Sequence, residues 1–147
     1  MLSEYLTQDM IRIKVPAATW QEAVWAAGDL LVQGGKCTPA YIQAMIDAVN
    51  TLGPYMVLAP GLALAHARPE SGVLQMGLSL VTLATPVEFG SEDNDPVSLV
   101  VAFGGVDHSS HIGMLSELAT FLEDDDRRAA LAQAQTVEEV LEMMVRA

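Results

Sequence analysis

Basic residues are scarce in this chain: seven Lys and Arg stand against nineteen Asp and Glu, a formal net charge of -12 over 147 residues. A nucleic-acid binder needs a basic stripe to neutralise phosphates, so DNA and RNA are excluded as partners. There is a single cysteine, Cys37, which rules out an internal disulfide. Placed in a helix-initiating segment, it reads as a small packing residue rather than a nucleophile. Apolar runs are short, and none reaches the roughly 18 to 20 residues of a membrane span, so direct membrane insertion is not expected. The first residues, Met1 to Leu6, lack the basic and apolar regions of a signal peptide. The expected compartment is the cytoplasm.

Apolar residues make up 51% of the chain, enough to bury a core, and residues 1–147 read as one domain with no linker or repeat. Ser3 to Gln8 reads as a short amphipathic turn. Ile11 to Val15 alternates apolar with basic residues and stops at Pro16, as an edge strand does. Thr19 and Glu22 have capping-box spacing ahead of a helix carrying Trp20, Val24, Ala27, Leu30 and Leu31, which ends at Gly34-Gly35. Thr38-Pro39 predicts a second N-cap and a helix to about Leu52, followed by an extended run, Tyr55 to Ala59, and a loop from Pro60 to Gly72. Met76 to Leu83 and Val97 to Phe103 have the branched, apolar content of buried strands. Later helices are expected at Ile112 to Glu123, with Ile112, Leu115, Leu118, Ala119 and Leu122 inward, at Asp124 to Ala134, and after Thr136. Strands interleaved with helices predict an α/β fold, a mixed sheet covered on both faces.

Between Pro86 and Pro96 lie Glu88, Glu92, Asp93 and Asp95. Their spacing fits no EF-hand, so the segment reads as a solvated loop. The three histidines, His66, His108 and His111, carry more chemistry. Two of them fall in Gly-flanked loops at the ends of predicted strands, where sites on α/β sheets collect. A metal site is one reading, because His108 and His111 are three residues apart with Asp107 beside them, although no His-Glu-x-x-His helix or cysteine pair supports it. A hydrolytic triad is disfavoured, since no Gly-x-Ser-x-Gly elbow is present. From residue chemistry alone these alternatives stay open.

The run Ala59-Pro60-Gly61-Leu62-Ala63-Leu64-Ala65-His66-Ala67-Arg68-Pro69-Glu70-Ser71-Gly72-Val73 resembles the phosphorylation loop of the mannitol/fructose-type EIIA proteins of bacterial sugar phosphotransferase systems. Gly53-Pro54-Tyr55, Ser79 to Leu83, Glu92 to Val97 and Ser110-His111-Ile112 follow in order, and resemble the branch associated with L-ascorbate. The resemblance implies the mannitol-type EIIA fold and a phosphocarrier: His66 accepts a phosphoryl group from the carrier protein HPr and passes it to a cysteine of a cognate EIIB, which feeds a membrane EIIC. It also implies that His111, matching the family's second histidine, stabilises the phosphoryl group, while His108 has no counterpart. Because the donor is a protein, no cofactor and no metal are expected.

Two positions depart from the family pattern. Ala65 stands where proline usually precedes the active histidine, and Ala48 stands where mannitol-type members carry an arginine. Arg68 is therefore the candidate for charge compensation, the alternative being a salt bridge to Glu70 or plain solvent exposure. A regulatory phosphoprotein of the same fold and a metal-dependent enzyme using His66, His108 and His111 are the competing functions. A homodimer is left open.

Overall fold

The structure, a computed structural model, describes residues 2–107 and 112–146. Five strands form one mixed sheet in the order β1-β4-β5-β3-β2, from β1 (Ile11–Val15), β2 (Val57–Ala59), β3 (Leu62–Ala65), β4 (Gly77–Val87) and β5 (Val97–Gly104). β1 runs parallel to β4, β4 antiparallel to β5, β5 parallel to β3, and β3 antiparallel to β2. β1 is an edge strand, as its alternation predicts, and it buries Ile11 and Val15 while exposing Arg12 and Lys14.

Side chains of a strand point alternately to opposite faces, and β5 divides its apolar residues accordingly. Val100 and Ala102 join Val24, Leu31, Ile42 and Met45 in one core, beneath α2 (Trp20–Gln33) and α3 (Pro39–Leu52). Leu99, Val101 and Phe103 join Leu118, Phe121, Leu131 and Val140 in the other. That second core is closed by α1 (Leu2–Tyr5), α4 (Ile112–Leu122), α5 (Asp125–Ala132) and α6 (Val137–Arg146). The mixed sheet with helices on both faces matches the fold class read from the sequence.

Local chemistry accounts for most helix boundaries. The Thr19 side chain accepts from the Glu22 amide at 3.2 Å, and Glu22 reaches back to the Ala18 amide at 3.3 Å, a capping box closed one residue early. Thr136 and Glu139 repeat the device at α6. Asp124 caps α5 by accepting from the Arg127 amide at 2.9 Å. Thr38 differs from expectation, because its side chain caps nothing. Its amide instead donates to the Gly72 carbonyl at 2.9 Å, and a Cβ on Gly72 would lie 2.4 Å from the Thr38 hydroxyl and 3.1 Å from the Tyr41 amide. With φ at +143°, position 72 suits glycine on both counts.

Three expectations need correction. The loop foreseen over Pro60 to Gly72 contains the strand β3, paired in register with β5 from Leu62↔Leu99 to Ala65↔Ala102. On α4 the buried residues are Met114, Leu118, Phe121 and Leu122, whereas Ile112 is 62% exposed and Ala119 is exposed. The apolar stripe is thus rotated from the predicted one. The acidic link after β4 is not simply solvated, since the Asp95 carboxylate accepts from the amides of Phe89, Gly90 and Ser91 at 2.7 to 3.1 Å.

Candidate functional site

Parallel pairing of β3 with β5 sends both chains out of the sheet at the same edge. Ala65 lies opposite Ala102, so His66 emerges beside the segment Phe103 to Asp107. Ligand sites of α/β sheets lie at such carboxyl ends. A cleft of about 470 Å³ opens there. One wall is the α3 face bearing Ala44, Ala48 and Leu52; another is His66 to Pro69 with Ser71; the third is Phe103, Gly105 and Asp107, with Tyr55 at the rim.

His66 is half-buried, and its ring is held from two sides. Nδ1 lies 3.0 Å from the Leu64 carbonyl oxygen. A carbonyl can only accept, so this is a hydrogen bond when Nδ1 carries the proton, which leaves the lone pair on Nε2. The Tyr55 ring meets the imidazole edge-on, with centroids 5.6 Å apart at 84°, a favourable quadrupolar geometry. Partial burial pushes the Tyr55 phenol pKa up. Among the described residues nothing bonds to Nε2, so this half-buried imidazole lining the cleft can act as a nucleophile toward an incoming electrophile.

The two departures from the family pattern acquire structural explanations. Ala65 is fully buried and in register with β5, so strand pairing fixes the backbone entering His66 without a proline ring. Ala48 lines the cleft, and its small side chain leaves that wall without charge. Arg68 lines the same cleft and is exposed. Among the described residues it forms no ion pair with Glu70, the ion pairs being Arg128 with Asp125 and Arg146 with Glu142. The structure thus brings His66 and Arg68 together. His108 and His111 lie outside the described residues.

The β3 residues leading to His66 do not line the cleft. Leu62 and Ala65 are buried and Leu64 is half-buried. The exposed apolar groups at the cleft are instead Leu52, 68% exposed, and Tyr55, 39% exposed.

Pattern reading also missed Tyr41. It is fully buried on α3, and its hydroxyl donates to the Phe103 carbonyl at 2.7 Å while accepting from the Ala67 amide at 3.0 Å. Burial is the largest influence on its phenol, whose pKa is raised to about 12. The one available signal was a tyrosine on the buried face of a predicted helix, because a buried phenol requires partners. Of the amides after His66, Ala67 gives its N–H to Tyr41, and Ser71, Gly72 and Val73 give theirs to Arg68 and Pro69 carbonyls; among the described residues the Arg68 and Glu70 amides have no such acceptor.

Residues 4–146 match the family described as "Phosphoenolpyruvate-dependent sugar phosphotransferase system, EIIA 2". The chain belongs to this family. This EIIA chain is 44% identical over 138 residues to the "Ascorbate-specific PTS system EIIA component" of Escherichia coli (strain K12), a match covering 92% of this chain and 89% of the relative. It superposes with a TM-score of 0.89 on the solution structure of the mannitol-specific cryptic phosphotransferase enzyme IIA CmtB from Escherichia coli, at 33% identity and with 99% of each chain covered. The IIA mannitol protein of Escherichia coli in complex with phosphorylated enzyme IIB mannitol superposes with a TM-score of 0.83, at 32% identity, covering 97% of this chain and 98% of that one. The EIIA chain is therefore a component of a sugar phosphotransferase system with the mannitol-type fold. Among the described residues no helix is long and apolar enough to cross a membrane.

Proposed function

We propose that this EIIA is a cytoplasmic phosphocarrier for L-ascorbate uptake, with His66 as the phosphorylated residue. The observation that carries the reading is the His66 imidazole itself, which lines the cleft with Nδ1 3.0 Å from the Leu64 carbonyl oxygen, leaving Nε2 as the nitrogen for transfer. In the first step the Nε2 lone pair attacks the phosphorus of phosphohistidine on HPr. A new N–P bond forms, the donor's N–P bond breaks, and its electron pair returns to the HPr imidazole. In the second step a cysteine thiolate of EIIB attacks the phosphorus, the His66 N–P bond breaks, and neutral imidazole is restored. EIIB then supplies the membrane EIIC.

Each step moves charge rather than protons, so catalysis consists of positioning and charge compensation. Arg68 lies in the cleft to face the doubly negative phosphoryl group. His111 is proposed as a second hydrogen-bond donor, on the resemblance alone. The exposed Leu52 and Tyr55 at the mouth give protein partners an apolar contact. Ascorbate is favoured by the name of the relative at 44% identity, and an EIIB partner by the mannitol-type complex.

The test is phosphoryl transfer from phospho-HPr to wild type and to His111→Ala, followed by a chase with EIIB proteins of the ascorbate and mannitol types. Discharge to the ascorbate-type EIIB alone is expected. Discharge to the mannitol type alone would overturn the substrate assignment.

A further inference from the structure

Two segments wall the cleft on either side of the proposed phosphorylation site, and they leave the sheet from different strands. One follows β3 and carries His66, Ala67 and Arg68. The other follows β5 through Phe103, Gly105 and Asp107. Backbone pairing of β3 and β5 holds them in register as far as Ala65↔Ala102. Beyond that point the registered strand pairing ends, and the tie is a side chain from a third element.

We propose that Tyr41 is a positioning residue for phosphoryl transfer, its hydroxyl clamping the His66 segment to the end of β5 from below the cleft. The phenol donates to the Phe103 carbonyl at 2.7 Å and accepts from the Ala67 amide at 3.0 Å, spending its one proton and a lone pair on the two walls. The contacts reach across 62 and 26 residues of sequence. Ala67 is bonded to His66 through one peptide, so fixing its N–H fixes the backbone from which the imidazole projects. Tyr41 is fully buried and its bond to Phe103 is buried, while the bond from the half-buried Ala67 is part-buried; a buried phenol that lost these partners would be left unsatisfied. Gly104 takes part in this fit, since a Cβ there would lie 3.3 Å from Val73 and 3.8 Å from the Tyr41 ring.

The inference rests on His66 being the phosphoryl acceptor, and its test separates the two. Tyr41→Phe keeps the ring and deletes the hydroxyl. Ser79→Ala is the matched control, for the Ser79 hydroxyl is also fully buried and donates to a backbone carbonyl, that of Ala27, at 2.6 Å, yet it does not line the cleft. With phospho-HPr as donor, Tyr41→Phe is expected to lower kcat by about tenfold or more, because small misplacements of a reacting group are costly. KM should change by less than about twofold, since the docking rim is untouched. Ser79→Ala should leave kcat at the wild-type value while lowering the unfolding midpoint. Equal kcat for Tyr41→Phe and wild type, or an equal fall in both variants, overturns the clamp. If His66→Ala still takes up label, the acceptor assignment is what fails. Amide hydrogen exchange in the unmutated protein gives a readout that needs no variant: Ala67 should be protected and Arg68 should not. Ala67 exchanging as fast as Arg68 would also overturn the clamp.

Discussion

The chemistry proposed for this EIIA turns on how the His66 ring is held. Its Nδ1 is tied to a backbone carbonyl, so the ring is a one-sided nucleophile. Arg68 is the cation among the described residues that line the cleft, and it is exposed, which limits its worth because solvent screens an exposed charge pair. Arg68→Ala should slow phosphoryl transfer by about fivefold, equivalent to about 1 kcal/mol, with the unfolding midpoint unchanged. Rapid-quench measurement of His66 labelling checks this, and a wild-type rate would return Arg68 to the role of a solvated surface residue.

At the scale of elements, the turn after β4 depends on one carboxylate. Asp95 accepts from three consecutive amides, those of Phe89, Gly90 and Ser91, and its chain neighbour Asn94 accepts from Gly61 at 2.9 Å at the entry to β3. Asp95→Ala should lower stability by about 2 kcal/mol, since it orphans several donors at once. Urea denaturation would read the loss, and an unchanged midpoint would contradict it. Local signals made much of the fold legible, including the Thr19-Glu22 box, the alternating edge strand and the glycine stops. Two elements escaped for physical reasons. β3 has four residues, too few for a period, and its strand character comes from pairing with β5 far along the chain. α4 carries apolar residues around much of its circumference, so its buried face was chosen by contact with the sheet rather than by its own pattern. From residue chemistry His66 was one of three candidate histidines, and it was the likeness of Ala59 to Val73 to an EIIA phosphorylation loop that singled it out. Tyr41 was not, because both its partners are backbone groups distant in sequence.

For the whole molecule, the charge of -12 governs encounter more than affinity, through steering that weakens as salt rises. Stability has an alkaline limit that follows from burial. The Cys37 thiol is raised from 9.0 to about 11 and the Tyr41 phenol from 10.0 to about 12, burial being the main cause for both. The folded state keeps protons that the unfolded chain releases at lower pH, so their contribution is complete below pH 9 and declines as pH rises toward 11 and 12. Urea midpoints should accordingly fall from about pH 9 upward, and Cys37→Ala should move the onset toward the ordinary tyrosine value of 10.0. The central claim, however, is that the sheet edge presents one phosphorylated imidazole. Its most direct measurement is uptake of labelled phosphate from phospho-HPr by wild type and by His66→Ala, with the linkage in the wild-type protein assigned by nitrogen-15 and phosphorus-31 NMR. One acid-labile phosphoryl group is expected on Nε2 of His66 and no label on the variant; label retained by folded His66→Ala would overturn the assignment.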